Sequence, residues 1–148
     1  MARDDTTLEA AGAEHLVVGR LLIDGLQAFR AYANQAGYDL LVVDPKTRRS
    51  LKVQVKSRVA VDSGAFRIKS FDFDFVIFVR LNRGTKASRK AGQREGALAP
   101  EFYIVPKNGI PPAGNDGARI PKGWLRSHPG FLENWDLIQD ALADPPAD

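Results

Sequence analysis

The chain contains no cysteine. That excludes disulfide frameworks, thiolate zinc sites and cysteine nucleophiles, and it fits a reducing cytoplasm. Histidine is nearly absent too. His15 and His128 stand far apart in the sequence, so a two-histidine metal site would have to join distant segments. No apolar run approaches the roughly 20 residues needed to span a bilayer, so no membrane segment is expected. The first residues, Met1-Ala2-Arg3-Asp4-Asp5, are acidic and polar and do not read as a secretory signal. Gly19, Gly25 and Gly37 are not followed by Lys-Ser/Thr at the spacing of a phosphate-binding loop.

What is present reads as one domain. The chain has 148 residues, 44% hydrophobic and 26% charged, ordinary proportions for a globular fold with a single core. The net charge is only +3, but it is unevenly spread. Residues 46–94 hold fourteen basic groups against three acidic ones, whereas residues 1–45 and 95–148 are both acidic. A basic centre between acidic ends points to a polyanion partner, or else to a solvated basic surface.

Thr6-Thr7-Leu8-Glu9 has the spacing of a capping box. Apolar residues three or four apart follow it, predicting a helix over about 6–34 with Gly25 as a candidate break and Gly37 as a stop. Residues 38–44 form an apolar run expected as a strand buried on both faces in mid-sheet. After a turn at 45–50, residues 51–60 alternate: Leu51, Val53 and Val55 face one way, and Lys52, Gln54, Lys56 and Arg58 the other. Strands are expected at 66–69, 73–81 and 101–105. Residues 82–100 read as a mobile basic loop, 106–117 as irregular, 131–143 as a last helix and 144–148 as a frayed tail. Helix, strands, then helix predicts an α/β (α+β) fold, a central mixed β-sheet flanked by helices.

One constellation carries chemistry. Gln54 and Lys56, two apart on a strand, share a face. A hairpin can set Asp39 beside Gln54, and a helix packed on the sheet can bring Glu14 to the same edge. Two carboxylates, an amide oxygen and an ammonium suit Mg2+ or Mn2+ and hydrolysis of a phosphodiester, with the lysine holding or deprotonating the attacking water.

Asp39 within Gly37-Tyr38-Asp39-Leu40-Leu41, then Val53-Gln54-Val55-Lys56-Ser57, after a helix bearing Glu14, resembles the PD-(D/E)xK nuclease superfamily. It is most similar to small bacterial members whose second motif is QxK. The resemblance covers about residues 8–81. It implies a restriction-endonuclease-like fold of the kind found in restriction enzymes, Holliday-junction resolvases and repair nucleases. Asp39 would be the metal-binding aspartate, Lys56 the motif lysine, Glu14 the helix glutamate some members add, and the Val55 carbonyl a further metal contact. Two departures stand out. Tyr38 replaces the proline that often precedes the aspartate, and neutral Gln54 stands where most members have an acid.

The expectation is metal-dependent phosphodiester hydrolysis of duplex or branched DNA. Lys46, Arg48, Arg49, Arg58, Arg83, Lys86, Arg89 and Lys90 would contact phosphates, and a homodimer would cut both strands. The alternatives are an inactive DNA-binding module on the same fold and a protein-interaction domain. Elsewhere, Phe71-Asp72-Phe73-Asp74-Phe75 reads as a strand with one buried face rather than a second metal pair. His15, His128, Trp124 and Trp135 read as packing residues.

Overall fold

A computed structural model describes residues 5–31, 37–93 and 95–143. It opens with helix α1 (Thr7–Ile23). The expected capping box is absent: Thr6 makes no side-chain cap. Instead Asp5 Oδ1 accepts from the Thr7 backbone N–H and hydroxyl at 3.0 and 2.7 Å, a carboxylate at the positive end of the helix dipole. The helix is also shorter than expected. Leu26 N donates to Leu21 O and Gly25 N to Leu22 O, with Gly25 at φ 88°. That pattern is a glycine-terminated C-cap. Leu26 tucks into the core beside Leu21, and the chain turns into strand β1 (Gln27–Arg30). Residues 32–34 of the expected helix lie outside the described residues.

The other elements are β2 (Leu40–Val43), β3 (Ser50–Arg58), β4 (Phe66–Ile68), β5 (Phe75–Arg80), α2 (Lys86–Lys90), β6 (Glu101–Pro106), β7 (Ala118–Ile120), α3 (Lys122–Arg126) and α4 (Asp136–Leu142). The main sheet runs β1-β2-β3-β5-β6, and β4 pairs with β7 in a separate two-stranded ribbon. β3 and β5 are parallel and the other pairs antiparallel. The expected mixed sheet with flanking helices is therefore what forms.

β5 is buried along its whole length and divides the interior. Phe75, Ile77 and Val79 join Val53, Leu40, Val42 and the inner faces of α1 and α4 in one core. Val76 and Phe78 join Phe66, Ile68, Ile120 and Leu125 in a second, beneath the ribbon and α3. β2 is not buried on both faces as expected. Leu40 and Val42 are buried, but Leu41 and Val43 only partly so, because the second core draws nothing from β2.

The 82–100 stretch holds α2, started by reciprocal bonds between Thr85 and Ser88, with Leu98 N bonded to Asn82 O. The last helix begins at Asp136 rather than 131, after a 3-10 turn at Pro129–Phe131. The tail 144–148 and Arg94 lie outside the described residues. Among the described residues no helix is long and apolar enough to cross a membrane.

Candidate active site

The site forms where a hairpin splays open. β2 and β3 pair from Val43↔Ser50 to Leu40↔Val53, and β3 then continues alone on that side to Arg58. Asp39 N still donates to Val53 O at 2.9 Å. The next peptide on the same side, that of Val55, has lost its partner strand. Its N–H donates instead to Asp39 Oδ2 at 2.7 Å, so the carboxylate is held by the ladder bond it replaces. The Val55 carbonyl faces the same opening, since both groups of a strand residue point to one side.

Gln54, opposite Asp39 in register, is only 8% exposed. Its amide is oriented by Nε2 donating to Gly37 O at 3.2 Å. Gly37 supplies that carbonyl from a left-handed turn (φ 91°), and a Cβ there would meet Asp72 Cβ and Ser70 Oγ at 2.7 Å. Glycine is required by both conformation and space. With Nε2 committed, Gln54 Oε1 is buried without a hydrogen-bond partner. A buried acceptor left unpaired costs about 1–3 kcal/mol, unless a cation or ligand completes it.

Glu14 on α1 lies within hydrogen-bonding reach of Asp39. Burial first, and then the neighbouring Glu14 carboxylate, push the Asp39 carboxyl above its ordinary value, against the Val55 N–H and Lys56. Burial, with Arg58 and Lys69 nearby, holds the Lys56 ammonium below its ordinary value, against the pull of Asp39. Glu14 and Lys56 thus both lie close enough to act on Asp39, and the β2–β3 register continues to set Gln54 across from Asp39, its side chain held at Gly37. Among the described residues no three His, Cys, Asp or Glu side chains stand together. The donor set is mixed: two carboxylates, one unpartnered amide oxygen and one main-chain carbonyl. Such all-oxygen ligands fit magnesium or manganese.

Arg30 was not legible as a site residue. β1 carries it alongside the site, where its Nη2 and Nε donate to Glu14 Oε2 at 2.7 and 3.2 Å and its Nη1 donates to His15 Nε2 at 3.2 Å. No local signal marks it, because its role depends on β1 replacing the expected helix.

The basic residues divide by position. Arg58 is near enough to act on Lys56. With Thr6, Ser57, Ser63 and Lys86 it lines an open depression of about 430 Å3. Lys46, Arg48 and Arg49 sit at the opposite end of the hairpin; Arg49 pairs with Asp44, five residues or about 17 Å along the strand from Asp39, and the other two lie beyond it. There Arg49 Nη1 donates to Ala143 O. Arg89 pairs with Glu9 of α1 at 3.3 Å. Arg83 and Lys90 are both exposed.

The remaining candidates are structural. Asp74 Oδ2 accepts from Lys52 N, and Asp72 pairs with Lys52 Nζ. His128 stacks on Trp124 with ring centroids 4.2 Å apart and donates from Nδ1 to Trp124 O. Trp135 is buried, its Nε1 donating to Glu133.

No family profile matches the sequence, and no curated protein matches it either. In fold, the chain is similar to a bacterial homing endonuclease, I-Ssp6803I, with a TM-score of 0.54 at 22% identity over 93% of this chain and 94% of that one.

Proposed function

We propose that this chain is a divalent-cation-dependent DNA endonuclease of the PD-(D/E)xK type. The reading is carried by the junction of Asp39, Glu14 and Lys56 with a buried Gln54 oxygen that has no partner. It is supported by the endonuclease-like fold and the basic middle third of the chain.

Glu14, Asp39, Gln54 Oε1 and the Val55 carbonyl would hold magnesium or manganese, which supplies Lewis-acid polarisation of a phosphodiester oxygen. The protein's own groups do the rest. The Val55 N–H fixes the rotation of the Asp39 carboxylate. The Gly37 carbonyl engages the Gln54 NH2, which leaves Oε1 as the unpartnered acceptor. Lys56, its amine held easier to deprotonate by burial, takes a proton from the attacking water or donates to the developing phosphate charge. Arg30 neutralises Glu14 while the site waits for a cation. Arg58 and Lys86 would hold phosphates beside the scissile bond. Lys46, Arg48 and Arg49, about 17 Å or more along the hairpin, would reach phosphates about five nucleotides away. A second copy would supply the second cut.

The test is magnesium-dependent cleavage of plasmid and of four-way junctions by the full chain. Turnover that vanishes in Asp39→Ala and in Lys56→Ala is expected, and undiminished turnover in both would sink the assignment. The neutral Gln54 motivates a second reading, a DNA-binding module that has lost catalysis. Salt-sensitive duplex binding with no turnover in magnesium or manganese would favour it.

A further inference from the structure

The β4–β7 ribbon is three residues long on each strand, and each strand is buried, exposed, buried. Phe66, Ile68, Ala118 and Ile120 fasten its inner face to the second core, with the Phe66 ring 5.0 Å from that of Phe78. The single outward residue on each strand is an arginine, and the register sets Arg67 directly across from Arg119. Directly opposed side chains have Cβ atoms about 4.5–5.5 Å apart, and like charges in that position are destabilising. Neither arginine has a hydrogen bond, ion pair or ring contact among the described residues, although Asp116 lines the same open depression beside Arg67. Lys69, exposed one residue past β4, adds a third cation close enough to act on Lys56. The ribbon cannot turn its arginines away, because its other face is core. An anion from outside would relieve the repulsion.

We propose that the outward face of this ribbon, Arg67 and Arg119 with Lys69, is a phosphate clamp for the duplex whose scissile bond lies at the candidate active site. The proposal rests on the nuclease reading for the nature of the polyanion. One outward residue per strand is too few to read a run of bases. Two adjacent guanidinium groups suit phosphate oxygens, which they bind in a bidentate manner. Lys69 joins the clamp to the catalytic lysine, so one strand of DNA can lie on both.

The closing experiment uses the full chain carrying Asp39→Ala, so that cleavage does not consume the probe. Affinity for a fluorescent 30-base-pair duplex is measured against potassium chloride concentration, with and without Arg67→Ala and Arg119→Ala together. The double change is expected to weaken binding tenfold or more near 0.1 M salt. It should also lower the log–log salt slope by about 1.8, two phosphate contacts at about 0.9 each. The loss should be equal on duplexes of unrelated sequence. With its repulsion removed, the DNA-free double variant should melt no lower than its parent. An unchanged affinity and slope would overturn the clamp, as would a loss confined to one duplex sequence. Duplex binding that depends on the ribbon in a chain that never cleaves would keep the clamp and sink the nuclease. Cleavage indifferent to both arginines would do the reverse.

Discussion

Among the described residues, two side-chain oxygens are buried without a partner: Gln54 Oε1 at the splayed hairpin and Asn82 Oδ1 beyond the far end of β5. Around Asn82 the charges are settled internally. Arg80, 3% exposed, donates to Glu101 and Val61 O, and Asn82 Nδ2 donates to Ala99 O and Glu101. The carboxylate there already has its cation. Around Gln54 two carboxylates face each other, the ammonium is half-desolvated, and Arg30 reaches only one of the acids. Similar groups build a strut at one end and an unbalanced pocket at the other. The difference is whether the counter-charge belongs to the chain.

That contrast can be broken most forcefully at Lys56. Lys56→Met is expected to lower DNA cleavage by about 10²–10⁴-fold, the worth of a proton-transfer group, while leaving the duplex bound. Asn82→Ala should leave the cleavage rate per folded molecule unchanged. A single-turnover assay on both variants separates the two ends.

At the strut, Arg80→Ala strands Glu101 and should cost about 3 kcal/mol, the low end for a buried pair because Glu101 is partly exposed. That corresponds to a melting point roughly 10 °C lower at this chain length. Calorimetry checks it, and the loss should be the same with and without magnesium.

Magnesium sharpens the other side. At ten times its dissociation constant, the ion should add about 1.4 kcal/mol to the stability of the native chain. It should add less to Gln54→Ala and nothing to Asp39→Asn. Equal shifts in all three would place the ion elsewhere.

The smallest effect concerns protons. Asp39 has a raised pKa in the fold, so the native state binds its proton more tightly than the unfolded state does. The stability this group contributes is present at low pH and lost as pH rises through its native value. Asp39→Asn keeps an acceptor for Val55 N and removes that penalty. Its melting point should exceed the wild type's at pH 7, with the gap closing as pH falls through the raised native value and gone below the ordinary aspartate value of about 3.9.

At the candidate site the backbone placement was readable in the sequence, because alternation over 51–58 fixes which face Gln54 and Lys56 share and a short turn sets Asp39 opposite Gln54. What could not be read depended on distant partners. Leu26 and Phe29 continue the spacing of α1, and only the positive φ of Gly25 makes them the start of an edge strand. Arg30 was therefore invisible beside Glu14. Thr6 carries the capping signature, yet Asp5 reaches the helix end first. β7 is three residues in a stretch dominated by proline and glycine, and nothing local marks it as a strand. Its partner β4 lies about fifty positions earlier, so the opposed arginines cannot be seen in either segment alone.

The same long-range pairing bears on how the molecule comes together. β4 sits on the crossover between the parallel strands β3 and β5, and β7 closes over it only after β6 has been laid down. Such high contact order implies slow acquisition of structure. On a ribosome, the basic ribbon could not close until β7, in the C-terminal third, has emerged.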